Sequence, residues 1–250
     1  MKIALLADIH GNLHALSAVL EHIQQQEVDA VLCLGDVAVF GPQPHEVVQA
    51  LRALEPLAVQ GNTDAWALDP HPHTVHDVST DVTNTIELWS AGRLTGEDRE
   101  FLAGFTREVW LDLPGGRRLM ACHGSPRANT ETLDPGLPPE QLNERLDGVT
   151  AAVVSFAHTH NQGLFYHRGQ LLFNPGSVGM PFRADVLSGD QWYAPWAEYA
   201  LLEAKRDHLG VTFFQIQYDI EALVESAFQV GMPEAGWWVT YFERGLARGR

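Results

Sequence analysis

The chain has little positive charge, little cysteine and no long apolar run. Sixteen Lys and Arg stand against 32 Asp and Glu, a formal net charge of −16 over 250 residues. Broad electrostatic capture of nucleic acid needs a basic face, so this balance argues against a nucleic-acid partner. It leaves room for a small anionic substrate, because a bound cation dominates the local field of a site. No window approaches the roughly eighteen consecutive apolar residues of a membrane span, which argues against a membrane partner. The opening Met1-Lys2-Ile3-Ala4-Leu5-Leu6-Ala7 runs straight into Asp8, too short an apolar run for a signal peptide and without a cleavage pattern. It reads as a first strand and predicts a cytoplasmic protein. Only Cys33 and Cys122 occur, each inside an apolar run. They read as buried, reduced thiols, and a structural disulfide does not suit a reducing compartment. Internal repeats and low-complexity tracts are also missing. The simplest organisation is one domain over residues 1–250, with residues 219–250 as a C-terminal helical extension.

What is present is an alternation of strands and helices. Residues 3–7, 30–34 and 57–60 read as strands, separated by helical spacing at Leu13, Leu16, Leu20 and Ile23 and again at Val47, Val48, Leu51 and Leu54. Asn12 is placed to cap the first helix, and Pro44 opens the second. This βαβαβ pattern implies a parallel sheet. Residues 64–80 carry no period, and a helix is expected over 81–92. Thr95-Gly96-Glu97-Asp98 resembles a capping box for the next helix. From Val109 onward short strands dominate: 109–113 and 118–122 around Pro114-Gly115-Gly116, then 152–157, 164–167, 170–173, 198–204 and 211–218. A short helix near Leu142 and Leu146 interrupts them. Asp219 caps a helix, and a last one starts at Gly236. A parallel-type half followed by an antiparallel-type half suggests two sheets packed face to face with helices outside, an α/β sandwich of αββα type.

Five polar motifs close the apolar runs: Asp8-Ile9-His10, Gly35-Asp36, Gly61-Asn62, His123-Gly124 and His158-Thr159-His160. Each alone is weak, since Asp, Asn and His commonly serve turns and caps. Together they supply two Asp, one Asn and four His at strand ends, where α/β domains assemble their sites. Imidazole with carboxylate and no thiolate suits Mn²⁺, Fe, Zn²⁺, Co²⁺ or Ni²⁺ better than Mg²⁺ or Ca²⁺. One Asp can bridge two cations, and a pair about 3.5–4 Å apart can clamp a phosphoryl group for in-line attack.

In this order the motifs resemble those of the calcineurin-like metallophosphoesterase superfamily: Asp8-x-His10, Gly35-Asp36, Gly61-Asn62-Thr63-Asp64, His123, and Ala157-His158-Thr159-His160, over residues 1 to roughly 218. Asn174-Pro175-Gly176-Ser177-Val178-Gly179 resembles a loop of its small bacterial and archaeal phosphodiesterase-like branch. The resemblance implies two divalent transition-metal ions, Mn²⁺ foremost. Asp8, His10, Asp36 and His160 would hold one, and Asp36, Asn62, His123 and His158 the other. It also implies hydrolysis of a phosphodiester or nucleotide-like small substrate through a metal-bridging hydroxide, with Asp36, His123 and His158 as the catalytic set. Phosphomonoester or dinucleoside polyphosphate hydrolysis is the alternative, and a non-catalytic scaffold of the same fold the distant third. Asn12, Thr63, Asp64, Asn174, Ser177 and Arg183 are the candidate substrate or site-loop residues.

Two departures stand out. Ala157 replaces the usual Gly before the last His pair. Thr63 stands where many members carry the His that protonates the leaving group, leaving Asp64 without the partner it normally orients. A general acid contributes typically ~10²–10⁴ in rate, so its loss matters most for poor leaving groups. His14, in the first turn after His10, is the candidate replacement. His71-Pro72-His73-Thr74-Val75-His76 reads as an exposed loop, a lid over a cleft. Trp237, Trp238, Tyr241 and Phe242 read as an aromatic face docked on the core or on a second subunit, which leaves a homo-oligomer open.

Overall fold

The computed structural model describes residues 1–248, so residues 249 and 250 of the expected C-terminal extension lie outside the described residues. The first strand, β1 (Lys2–Leu6), is followed by α1 (Leu13–Gln24), β2 (Ala30–Cys33), α2 (Pro44–Arg52) and β3 (Leu57–Ala58). Three helices come next, α3 (Asn62–Leu68), α4 (Val78–Gly92) and α5 (Gly96–Ala103). Strands β4 (Glu108–Leu113) and β5 (Arg117–Cys122) form the expected hairpin, and α6 (Pro139–Arg145) leads to β6 (Val153–Ser155). Then come β7 (Gly163–His167), β8 (Gln170–Asn174), a small hairpin of β9 (Phe182–Ala184) and β10 (Gln191–Tyr193), and the long pair β11 (Ala197–Ala204) and β12 (Leu209–Ile216). Helices α7 (Ile220–Gln229) and α8 (Ala235–Arg248) close the described chain.

Two five-stranded sheets face one another between helices, as the strand pattern predicts. The first has the order β12-β11-β1-β2-β3 and the second β4-β5-β6-β8-β7. The expected division into a parallel first half and an antiparallel second half is not how the sheets are built. β11 returns to pair antiparallel with β1, Lys2 opposite Glu203, so both halves contribute to the first sheet. The second sheet has a parallel centre, β5 beside β6 beside β8. Hydropathy sets which face of a strand is buried, whereas the identity of its neighbour depends on contacts far along the chain.

Continuous apolar runs mark strands buried on both faces. In β1, Ile3 and Leu5 pack with Leu119, Val153 and Phe173 between the sheets. Ala4 and Leu6 face the other way, onto Leu16 and Val19 of α1. Behind the second sheet, Met120 and Cys122 meet Leu142 and Leu146 around α6. Trp238 and Phe242 of α8 pack with Ile86 of α4 and with Met180, so the aromatic face does dock on the core. Cys33 and Cys122 are free and buried, and burial raises both thiols.

Three elements depart from the sequence reading. α3 forms at the start of the segment without a period, because Asp64 accepts the Gly61 N–H and caps its own helix. α4 begins at Val78, three residues before the expected start, with Asp77 accepting the Thr80 N–H. The β9–β10 hairpin is held by α8, where Gly245 lets the helix backbone approach the Tyr193 carbonyl.

Candidate metal centre

The five motifs meet at one rim of the sandwich. Asp8 and His10 follow β1, Asp36 follows β2, and Asn62 opens α3 after β3, all from the first sheet. His123 follows β5, and His158 and His160 follow β6, from the second. Donor atoms of Asp8, His10 and His160 lie within 4.8 Å of one another, as do those of Asp36, His123 and His158.

Five of these seven residues have left-handed backbone: Asp8 at φ +52°, His10 at +47°, Asp36 at +56°, His158 at +68° and His160 at +56°. Each such non-glycine residue costs on the order of 1–3 kcal/mol and persists only where its surroundings over-determine it. Here they do. The N–H groups of Ile9 and His10 both donate to the Asp36 carbonyl, at 2.9 and 3.0 Å. The Gly179 N–H and the Ser177 hydroxyl both donate to the Asp8 carbonyl, at 3.0 and 2.7 Å. Asn174 Nδ2 donates to the Ala157 carbonyl and to Thr159 Oγ1, each at 3.1 Å, bracketing His158. A Cβ on Gly179 would collide with the Ile9 carbonyl, so the loop passes there only as glycine.

Ring orientation is set the same way. Nδ1 of His10, His123 and His160 donates to the carbonyls of Val39 (2.9 Å), Leu34 (2.7 Å) and Met180 (2.8 Å). The Thr130 carbonyl lies beside His158 and weakly favours its charged form. A proton committed at Nδ1 leaves the Nε2 lone pair of neutral His10 and His160 facing inward. Those two Nε2 atoms stand 3.2 Å apart, lone pair to lone pair, an arrangement that a cation between them relieves. Asp8 completes that group with both carboxylate oxygens buried and without a hydrogen-bond partner. Orphaned acceptors of this kind fit a metal site, and the donor set suits a borderline divalent cation.

Asp36 lies between the groups. Its Oδ1 accepts the Thr63 N–H at 2.9 Å, while Oδ2 is 3.7 Å from His10 Nε2 and 3.3 Å from His123 Nε2. Burial opposes the Asp36 charge, but His123, His10 and the Thr63 N–H override it and hold the carboxyl well below its usual range. Burial likewise opposes charge on His123, and Asp36 reverses this and lifts it to about 9. Burial pushes Asp8 well up, partly offset by His123. His10 and His158 are lowered chiefly by burial, and burial with His10 beside it takes His160 to about 3. Asn62 Oδ1 approaches His123 Nε2 at 3.0 Å, which brings it to the second group.

A profile for the calcineurin-like phosphoesterase superfamily domain matches residues 1–194. The chain belongs to that superfamily. An uncharacterized protein of Methanocaldococcus jannaschii is 28% identical over 93% of this chain and 94% of its own. A probable metallophosphoesterase of Bacillus subtilis is 24% identical over 89% of this chain and 96% of its own. The crystal structure of a metallophosphoesterase from Sphaerobacter thermophilus superposes with a TM-score of 0.73 at 25% identity, covering 98% of this chain and 99% of that one.

The remaining predicted residues divide between support and periphery in this superfamily member. Asp64 is fully buried and accepts from the N–H groups of Asp36 (2.8 Å), Val37 (2.9 Å) and Gly61 (3.0 Å), clamping the β2 end to the start of α3. Thr63 gives its N–H to Asp36, and its buried hydroxyl oxygen has no hydrogen-bond partner. Asn12 caps α1 through the Ala15 N–H and donates to the Gly179 carbonyl and the Tyr218 hydroxyl. Arg183 is paired with buried Glu198, which also accepts from Trp196 Nε1 at 3.0 Å, so its charge is turned toward that carboxylate. His14 has a buried, unpartnered Nε2; burial lowers it, and the charge opposing that shift is Asp219 at the start of α7.

Sequence reading passed over the loop after His123. Its Thr130 carbonyl lies beside His158, and its Asn129 Nδ2 donates to the Gly61 carbonyl at 3.2 Å. A cleft of about 320 Å³ lined by Gln60, Arg107, Arg127, Ala128 and Asn129 opens here, two residues from Asn62. The only sequence signal for it was the pair of arginines in a strongly acidic chain.

Proposed function

We propose that this chain is a dinuclear metal-dependent phosphoesterase acting on a small phosphodiester or nucleotide-like substrate. The observation that carries the reading is Asp36 Oδ2, placed between two donor groups while the second oxygen is held by a backbone N–H. Asp8, His10, Asp36 and His160 would hold one cation, and Asp36, Asn62, His123 and His158 the other. Mn²⁺ is the first choice, with Fe, Zn²⁺, Ni²⁺ and Co²⁺ compatible with the same donors. Bound divalent cations of this kind supply Lewis-acid polarisation of a phosphoryl oxygen and activation of water near neutral pH.

The chain's own residues do the rest. Backbone carbonyls fix the imidazoles so that nitrogen lone pairs need no reorientation on loading. The low position of Asp36 keeps it ionised throughout the physiological range. Arg107 lines the cleft beside Gln60 and Asn129, while Arg127 on the same cleft is paired with Glu144 and Glu131, so dinucleoside polyphosphates are tested as an alternative substrate class rather than favoured. The packing of α7 and α8 on Ile86 and Met180 supports reading the described residues, 1–248, as one domain.

The direct test is a panel of phosphomonoesters, cyclic and linear diesters and dinucleoside polyphosphates, assayed with Mn²⁺ and with Asp36→Asn as control. Turnover of at least one class that disappears in Asp36→Asn is expected. Equal rates in the two proteins across the panel would remove the enzymatic reading.

A further inference from the structure

The rim that carries the metal ligands also carries a small cavity. Strands β5, β6 and β8 run parallel, so their carboxyl ends lie side by side. Parallel sheets seat ligands at such ends. The segments leaving β5 and β6 supply His123, His158 and His160, and they also wall the cavity. It holds about 180 Å³ between Leu133, from the segment after β5, Phe156, Thr159 and Asn161 after β6, Phe165 of β7, and Asn174 at the end of β8. Thr159 ties it to the metal centre. It stands between His158 and His160, which belong to different donor groups, with its Cα about 3.8 Å from each of theirs.

Volume decides how much of a ligand the cavity can take. About 150 Å³ is enough for benzene, whereas a whole drug-sized ligand needs about 300 Å³ or more. The cavity therefore accepts one planar ring system and leaves the rest of a substrate outside. Its deep wall is aromatic: Phe156, 3% exposed, meets Phe165 edge to face, with centroids 6.0 Å apart at 67°. Such a wall packs well against a flat π-system. Asp134 is on the lining, and no Lys, Arg or His is, among the described residues. That charge pattern repels a phosphate and suits a neutral ring that carries hydrogen-bond donors.

The polar groups of the lining differ in how far they are already engaged. Asn174 Nδ2 is held by the Ala157 carbonyl and Thr159 Oγ1, and Gln162 Nε2 by the carbonyls of Pro175 and Tyr199 at 3.0 and 3.2 Å. Thr159 Oγ1 accepts from Asn174, so its proton is left to donate. Asp134 Oδ1 accepts the Gly136 N–H at 2.7 Å, which leaves Oδ2 to accept from a ligand. Asn161 is exposed, and its carboxamide has no hydrogen-bond partner among the described residues. A carboxamide pairs bidentately with the amino group and ring nitrogen of adenine, and a carboxylate accepts from an amino group.

We propose that this cavity is the subsite for the uncharged ring of the substrate, an amino-bearing nucleobase of adenine type, while the phosphodiester lies at the metal centre; this rests on the phosphoesterase reading above. The base stacks on the Phe156–Phe165 wall and presents its amino edge to Asn161 and Asp134. The subsite thus distinguishes esters that share one phosphate and one leaving group.

The test uses Mn²⁺-loaded full chain and three trifluoroethyl phosphodiesters: those of adenosine, of purine riboside, which lacks the amino group, and of ribose without a base. In wild type, kcat/KM for the ribose ester should be about 10–100-fold below that for the adenosine ester, with purine riboside between them. Asn161→Ala should bring the adenosine and purine riboside esters together. Leu164 lines the cavity and is 42% exposed, so Leu164→Trp should fill the mouth and bring all three together. In metal-free full chain, adenosine alone should shift the NMR signals of the Phe165 ring and the Thr159 methyl in wild type, and not those of Leu164→Trp. Thermal midpoints matching wild type would separate these effects from misfolding. Equal kcat/KM for the adenosine ester and either of the others in wild type, or adenosine shifts that survive Leu164→Trp, would overturn the subsite and leave the phosphoesterase reading standing. A wild type that cleaves none of the three would overturn the phosphoesterase reading, and the substrate subsite with it.

Discussion

Asp8 with His10 and His160, and Asp36 with His123 and His158, use the same residue types and differ in how their charge is met. In the second group the carboxylate and an imidazole neutralise each other: Asp36 is held low and His123 is raised to about 9. The first group has no such internal balance. Both Asp8 oxygens are buried without partners, and burial lowers His10 and His160 so that neither supplies a countercharge near neutral pH. One half of the centre is therefore arranged to tolerate the absence of a cation, and the other is stabilised only by its presence.

The largest expected effect comes from the residue the two groups share. Asp36→Ala should abolish binding of both ions, read as Mn²⁺ per chain by elemental analysis, and cost more than the ~100-fold typical of a supporting residue. Retention of full metal content would dissolve the comparison, because the groups would then be independent. Gly179→Ala should act on the first group alone. The new Cβ presses on the Ile9 carbonyl between Asp8 and His10, for a loss of roughly 1–3 kcal/mol in denaturant unfolding and loss of one ion.

Asp8→Asn should have a smaller effect of opposite sign in the two states. It removes a carboxyl whose charged form burial opposes and His123 only partly offsets, so the EDTA-treated protein at pH 7 should gain about 1–2 kcal/mol in thermal or denaturant unfolding. The extra stability conferred by added Mn²⁺ should shrink. A destabilised metal-free variant would show that the Asp8 charge is already balanced.

The smallest signal is in the pH dependence of the metal-free fold. His123 is raised, so its contribution is complete below the ordinary imidazole range near 6.5 and is lost as pH climbs through about 9. Asp36 is depressed, so its contribution is present above the ordinary carboxylate range and is lost as pH falls through its low folded value. Unfolding of EDTA-treated protein should thus show an alkaline decline that His123→Asn removes. A decline unchanged by that substitution would place its origin elsewhere.

The residues of the two donor groups were readable because most of their motifs close an apolar run, and strand ends are where such side chains converge. Caps were equally readable: Asn12, Thr95 with Asp98, and Asp219 each accept the backbone N–H expected of them. What escaped depends on partners distant in sequence. The place of β11 beside β1 is a pairing of Lys2 with Glu203, which no local pattern encodes. α3 owes its start to Asp64, whose carboxylate is fixed as much by Asp36 and Val37 as by its own helix. His73 lay inside a segment without a period, and Glu87 belongs to another element, so their approach to 3.2 Å has no signature in spacing. Arg183 shows the converse: a cation near a glycine-rich loop suggests a phosphate, and buried Glu198 takes it instead.

Each donor group draws side chains from both sheets. Neither sheet carries a complete donor group, so a chain cut between α5 and β4, which parts Asp8, His10, Asp36 and Asn62 from His123, His158 and His160, should yield two fragments that each fail to retain an ion. Metal retention by such fragments after mixing would report directly on reassembly of the sandwich. The centre is in this sense a rivet through two plates, and loading it records that the plates are aligned.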